Sequence, residues 1–154
     1  MKTRILLLLT LVLVIVPGAL AADFGVRAGR FSDAEDDFVG AEVLFNIGAL
    51  NINPNVEYWL VEDENITAGT ANLDVTFDIA RLSRVSPYVG AGVGLLYVDD
   101  DFSNSETETL GNLIGGVSLN LDFLKPYAQV KYSRSLESSE GDNDDIAFTI
   151  GLRF

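Results

Sequence analysis

The chain has 154 residues, a formal net charge of −13, a hydrophobic fraction of 48% and neither Cys nor His. The lack of both residue types excludes disulfide bonds, thiolate chemistry and catalysis by an imidazole base. The acidic balance also argues against nucleic acid as a partner, because a phosphate backbone requires a basic surface.

The first 21 residues have the pattern of a secretory signal peptide. Lys2 and Arg4 give a basic start, residues 5–16 form an apolar run, and Ala19 and Ala21 are the small residues of a cleavage site. A membrane anchor is disfavoured because the apolar run is too short to span a bilayer. We therefore predict a signal peptide at 1–21 and one mature domain at 22–154. The mature domain has eight basic and 23 acidic residues, a net charge of −15.

After residue 21, apolar residues recur at every second position through most of the chain. Side chains of a strand alternate between its two faces, so this period predicts β-strands. The first four strands are predicted at about 23–31, 38–48, 54–62 and 71–79. The alternation is clearest in the fourth, where Ala71, Leu73, Val75, Phe77 and Ile79 oppose Asn72, Asp74, Thr76 and Asp78.

Four further strands are predicted at about 87–98, 108–120, 126–133 and 145–154. In the sixth strand, the adjacent Gly115 and Gly116 suggest a β-bulge. The last strand is about long enough to cross a bilayer at a tilt. Its apolar face carries Ile146, Phe148, Ile150, Leu152 and Phe154.

The connections between the strands are of two kinds. Those after the second, fourth and sixth strands are short, the first of them being a turn at about 48–53, whereas the other four are mostly more acidic. Pro54, Pro87 and Pro126 each stand at the start of a strand that follows a short turn, where no ladder donor is needed. The pattern predicts an all-β fold: an eight-stranded antiparallel up-and-down barrel of four hairpins with acidic tips.

Either face of these strands could line the barrel, whose interior is wide enough only for side chains. A soluble lipocalin-like barrel would turn the apolar faces inward, and a transmembrane barrel would turn them towards lipid. The second alternative is favoured because the polar faces carry charges of both signs, which can pair, and glycines, which leave room for long side chains. The predicted interior ion-pair network comprises Arg27, Glu42, Glu57, Asp74, Asp78, Lys131 and Arg153.

Aromatic residues near the strand ends are predicted to form two girdles at the membrane surfaces. Phe24, Tyr127 and Phe154 are assigned to one girdle. Phe31, Phe38, Tyr97 and Tyr132 are assigned to the other.

The mature chain resembles the small outer-membrane β-barrel proteins of the OmpA/OmpX type. The resemblance covers all eight strands, the terminal Phe154 and the segment 86–94. It implies a bacterial outer-membrane location, short periplasmic turns and longer external loops. We expect the barrel to be a monomer in contact with lipid and lipopolysaccharide. It also implies that the last strand is read by the barrel-assembly machinery. The residues of this assembly signal are Phe148, Ile150, Leu152 and Phe154.

Three functions are compatible with such a barrel. The favoured one is a non-enzymatic protein with a filled interior, which is structural or mediates interactions through its loops. An enzyme is disfavoured because the chain has no His, and because Asp74 and Asp78 are too far apart along one strand to share a proton. The third is a binder or conduit for small apolar molecules, similar to the OmpW type, with a pocket formed by Trp59, Val61, Leu96, Val98 and Leu110.

No cofactor and no metal site are predicted. The acidic run 99–101 lacks the spaced ligands and the glycine of a calcium loop. The acidic loops are expected to form a repulsive rim at one end of the barrel. Weak association of Ca²⁺ or Mg²⁺ with this rim is a less favoured alternative.

Overall fold

A computed structural model describes residues 22–61, 66–80, 82–100, 106–137 and 144–154. The predicted signal peptide at 1–21 lies outside the described residues. Eight antiparallel strands form a closed barrel in sequence order, with the last strand paired to the first. Among the described residues, no helix has the length and apolar character to cross a membrane. The strands are β1 (Ala22–Phe31), β2 (Asp37–Ile47), β3 (Leu50–Leu60), β4 (Ile66–Asp78), β5 (Val85–Asp100), β6 (Glu106–Leu119), β7 (Lys125–Ser135) and β8 (Asp144–Arg153).

The predicted number, order and pairing of the strands are confirmed. Short connections follow β2, β4 and β6 at one end of the barrel, which we call the turn end. The other four connections lie at the opposite end, the loop end. The first and last residues of the barrel lie at the turn end, where the backbone groups of Phe24 and Phe154 are hydrogen bonded to each other.

The turn predicted at 48–53 is shorter than expected, because β3 already begins at Leu50. Gly48 has a φ of +66°, which a glycine adopts without strain, so the chain reverses within two residues. Asn51 and Asn53 fall within the predicted turn, but both point into the barrel and are buried. Their alternation with Leu50 and Ile52 continues the period of the strand.

Pro54 therefore lies inside β3, and its predicted position at the start of a strand is wrong. The ladder between β2 and β3 is interrupted here, between the pairs Glu42–Asn55 and Phe45–Ile52. The side-chain amide of Asn53 donates to the Val43 carbonyl oxygen at 3.1 Å across this gap. A side-chain donor thus bonds to the backbone where proline has no N–H to offer.

The β-bulge predicted near Gly115 and Gly116 is absent. The pairing of β5 with β6 runs without interruption from Val85–Leu119 to Val98–Glu106. The pairing of β6 with β7 is equally continuous. The glycines occupy regular ladder positions, and a Cβ added at the outward-facing Gly115 would have no atom within 4 Å.

The barrel turns its apolar side chains outward and its polar side chains inward. Among the described residues, seventeen polar or charged residues are buried and only nine apolar ones. Soluble domains have the opposite distribution, because burial of unpaired polar groups is unfavourable. The predicted orientation of the strands, with apolar faces outward and polar faces inward, is confirmed, and the lipocalin-like alternative with apolar faces inward is wrong. Exposed apolar residues form a belt that includes Phe24, Val26, Leu73, Phe77, Val93, Leu113, Phe148 and Ile150.

Three of the aromatic residues assigned to the girdles lie inside the barrel. Phe31, Phe38 and Tyr127 are 3%, 1% and 4% exposed. Each has the same parity along its strand as a buried charged residue, so alternation places it inward whatever its height in the membrane. The ring of Phe31 packs between those of Phe38 and Trp59, with centroid distances of 5.0 and 4.3 Å.

Candidate functional site

Five charged side chains form a continuous chain across the interior. Arg153 contacts Glu42 (Nε–Oε1, 2.8 Å), and Glu42 contacts Arg27 (Oε2–Nη1, 3.6 Å). Arg27 also contacts Glu57 (Nη2–Oε1, 3.1 Å), and Glu57 binds Lys131 (Oε2–Nζ, 2.7 Å). All five side chains are at most 7% exposed. Strands β8, β2, β1, β3 and β7 are thereby connected through the lumen.

Glycines on the intervening strands allow these charged groups to meet. Gly25 pairs with Glu42 on one side and with Arg153 on the other, and a Cβ at Gly25 would lie within 3.0 Å of both side chains. Gly40 lies in the same way between Arg27 and Glu57. Each arginine therefore reaches a carboxylate two strands away by crossing a position without a side chain.

A cluster of amide side chains adjoins the ion pairs. Asp74 accepts hydrogen bonds from Asn55 (Oδ2, 2.8 Å) and from Asn112 (Oδ1, 3.2 Å). Asn112 also donates to Asn72 at 3.0 Å and accepts from the Ser133 hydroxyl at 2.9 Å. Asp74 was predicted to belong to the ion-pair network, but the structure places it in this amide cluster. It contributes a third buried anion against three buried cations.

The last predicted member of the network, Asp78, lies at the turn end of β4. It is partly buried and accepts a hydrogen bond from Asn51 at 3.0 Å. At the same end, Lys125 contacts Asp23 (Nζ–Oδ2, 2.7 Å), and Asn46 donates to the same oxygen at 3.1 Å. The predicted network omitted Asn46, Asn51, Asn55 and Asn112 because it comprised charged residues only. Their signal was the inward parity that they share with the charged residues.

Aromatic residues pack beside the ion pairs in the turn-end half of the lumen. The guanidinium carbon of Arg153 lies 3.9 Å from the ring centroid of Tyr127, which is a cation–π contact. Tyr88 donates its hydroxyl proton to Gln129 at 3.0 Å. Both tyrosines are buried. The turn-end half of the lumen is thus occupied by side chains.

The loop-end half of the lumen contains an open cavity of about 320 Å³. Glu57 and Lys131 border it, so the chain of ion pairs ends at this cavity. Of the predicted pocket residues, Trp59, Leu96 and Leu110 line it, whereas Leu96 and Val98 line a second, more polar cavity at the rim. Val61 lines neither cavity. The remaining lining residues of the first cavity are Phe31, Asp33, Thr70, Asn72, Glu108, Ser133, Asp144 and Asp145.

The fold is that of small outer-membrane barrels. Neisserial surface protein A (NspA) is 14% identical, with a TM-score of 0.67 over 86% of this chain and 94% of its own. The outer membrane enzyme PagL is 10% identical (TM-score 0.56; 86% and 98%). The Yersinia pestis outer membrane protein Ail, in a phospholipid bilayer nanodisc, is 13% identical (TM-score 0.50; 87% and 100%). No protein-family model matches the chain, and the comparison with curated proteins also gives no match.

These similarities cover nearly the whole length of each protein. They confirm the predicted fold, a closed eight-stranded barrel of the outer-membrane type. Because the identities are low, and because one of the three proteins is an enzyme while another is described as a surface protein, the fold does not determine the activity. Function has to be argued from the interior and the rim.

Proposed function

We propose that this chain is a non-enzymatic, non-conducting integral protein of a bacterial outer membrane. The observation that carries the proposal is the chain of ion pairs from Arg153 to Lys131, which crosses the lumen and is closed to solvent. A water-filled pore would require charged side chains that are hydrated and separated. Here they pair with each other inside the barrel, so the surfaces available for function are the loop end and the apolar belt.

The outer-membrane location is supported by the apolar belt and by the fold. We propose that the belt contacts lipid and lipopolysaccharide and that the barrel is monomeric. The outward-facing residues of β8, among them Phe148 and Ile150 at 58% and 68% exposed, continue to the terminal Phe154. They provide the pattern that an assembly machinery would read in the last strand.

Electrophoresis is expected to show a heat-dependent shift in mobility. A closed barrel with continuous ladders resists SDS until it is heated, so unboiled protein should migrate apart from boiled protein. The control is the same protein after complete denaturation in urea. Identical mobility of boiled and unboiled samples, together with solubility in the absence of detergent, would contradict the transmembrane proposal.

In planar lipid bilayers, the purified protein is expected to show no stable large conductance. The reason is that hydrated ions cannot pass buried ion pairs without breaking them. A water-filled porin in the same bilayers provides the positive control. Long-lived openings of uniform size that scale with the amount of inserted protein would show that the lumen conducts.

The non-enzymatic assignment is supported by the residues of the interior. PagL shows that the fold can carry an active site, but this chain has no His to act as a general base. The remaining acidic candidates, Asp74 and Asp78, are bonded to different asparagines. We propose that these carboxylates are structural.

A second candidate function is favoured by the cavity at the loop end. Its walls include Trp59, Leu96 and Leu110, and its volume of about 320 Å³ falls at the lower end of the range for small-molecule sites. The ion pairs below it leave no passage through the lumen. We therefore propose that the cavity binds a small molecule reversibly.

A further inference from the structure

We infer that the cavity at the loop end binds a small organic cation with an apolar body, rather than an apolar acid. The inference rests on the proposal that this cavity takes a ligand and names the chemical class of that ligand. It is carried by three properties of the cavity: its aromatic wall, the sign of its charges and the fixation of its rim.

The wall presents aromatic and aliphatic surface to the cavity. Phe31 and Trp59 lie against each other with ring centroids 4.3 Å apart, and both line the cavity. Leu96 and Leu110 add aliphatic surface. The faces of aromatic rings attract alkylammonium groups through the ring quadrupole, with Trp the strongest of the three aromatic types. Phe31 is 3% exposed between Phe38 and Trp59, so the partly exposed Trp59 supplies the aromatic surface for a cationic centre. The leucines suit an apolar body.

The charges around the cavity are predominantly negative. Among the residues that the structure describes, its lining includes five carboxylates and one ammonium group. The ammonium group, on Lys131, lies 2.8 and 2.7 Å from the two oxygens of Glu57, and Arg27 contacts the same carboxylate. Together with Glu42 and Asp74, Glu57 gives the interior three buried anions against three buried cations, so the floor adds no net positive charge. The fields of the rim carboxylates therefore dominate at the entrance. A fatty acid would be repelled, and a cation would be attracted. The rim carboxylates are Asp33, Glu108, Asp144 and Asp145.

Part of the rim is held in place by hydrogen bonds. The two carboxylate oxygens of Asp145 accept the backbone N–H groups of Asp33 and Ala34, at 2.9 and 3.2 Å. Asp144 accepts the hydroxyl proton of Tyr132 at 2.9 Å. The negative groups of β8 are thus fixed before a ligand arrives, which lowers the entropic cost of binding.

The experiment uses Trp59, the one tryptophan in the sequence, as a fluorescent reporter in the cavity wall. The barrel in maltoside micelles, whose head group is neutral, is titrated with benzyltrimethylammonium, benzyl alcohol and phenylacetate at constant ionic strength. We expect a saturable change with benzyltrimethylammonium only. Its affinity should fall as the salt concentration rises, because salt screens the rim.

Two pairs of substitutions test the role of the rim. Asp33→Asn with Glu108→Gln removes two lining charges and is expected to weaken binding of benzyltrimethylammonium about tenfold. Asp37→Asn with Asp99→Asn removes two exposed acidic charges near the loop end that do not line the cavity. This control is expected to change the affinity less than about twofold, because neither side chain lines the cavity and salt screens charges that lie farther from the ligand.

The other outcomes separate this inference from the proposed function. Equal binding of benzyl alcohol, tighter binding of phenylacetate or equal effects of the two double variants would overturn the preference for a cation and leave the cavity as a binding site. No saturable signal with any probe would overturn both the inference and the binding function. The conductance measurement is unaffected by any of these results.

Discussion

Replacing Glu57 by Gln is expected to lower the free energy of unfolding by about 3–5 kcal/mol, the range observed when one charged partner of a buried ion pair is removed. Glu57 is 3% exposed and contacts both Arg27 and Lys131, which are 3% and 1% exposed. The substitution keeps the shape of the side chain and removes its charge. Two buried cations would then face a neutral amide, far from water that could solvate them.

Urea unfolding of the barrel in lipid vesicles measures this change. The matched control is Asp37→Asn, which breaks the ion pair between Asp37 and Arg30. This pair is at the surface, with the Arg30 and Asp37 side chains 61% and 59% exposed. The control is expected to lower the free energy of unfolding by less than about 1 kcal/mol, because water and salt screen ion pairs at the surface. Equal effects of the two substitutions would mean that the interior is hydrated, and the proposal of a closed lumen would then fail.

Gly90→Val is expected to prevent formation of the closed barrel, or to destabilise it by at least about 3 kcal/mol. Gly90 faces inward on β5, opposite Thr76 of β4. A Cβ at this position would collide with the carbonyl oxygen of Val75 and lie 2.8 Å from the Cα of Thr76. These are backbone atoms, which cannot move aside without breaking the ladder. In so narrow a barrel, the inward Cβ positions converge.

The matched control is Gly115→Val on the neighbouring strand. No atom lies within 4 Å of a Cβ at Gly115, which faces outward, so the added side chain would enter lipid. It is expected to be neutral or to stabilise the strand by up to about 1 kcal/mol. The fraction of each variant that shows heat-dependent mobility after refolding measures the difference. If Gly90→Val folded as well as Gly115→Val, close approach of the strands at Gly90 would be refuted.

The two experiments examine different requirements of one interior. The ion pairs need every charge to have a partner, and the glycines give the long side chains the room to reach those partners. Gly90→Val should reduce or abolish the fraction of protein that forms the closed barrel, whereas Glu57→Gln should still form the barrel and unfold at a lower urea concentration. The comparison therefore separates steric closure from electrostatic closure of the lumen.

The number of strands, their order and the outward orientation of their apolar faces could be predicted from the residue pattern alone. This was possible because the period of two is local: Leu73 and Asp74 face opposite ways wherever the strand is placed. The inward positions of Arg27, Glu42, Glu57, Lys131 and Arg153 followed from the same rule. Where position near a strand end was given more weight than parity, as for Phe31, Phe38 and Tyr127, the assignment was wrong.

The tertiary structure alone decided which interior groups meet. Pairing between strands sets the height of each side chain in the lumen, and no local pattern contains that information. Register places Gly25 and Gly40 between the members of the ion pairs, and it puts Asp74 among asparagines instead of arginines. Among the described residues, it also leaves a cavity in the loop-end half of the lumen, because Trp59, Leu96 and Leu110 lie at its wall without filling it.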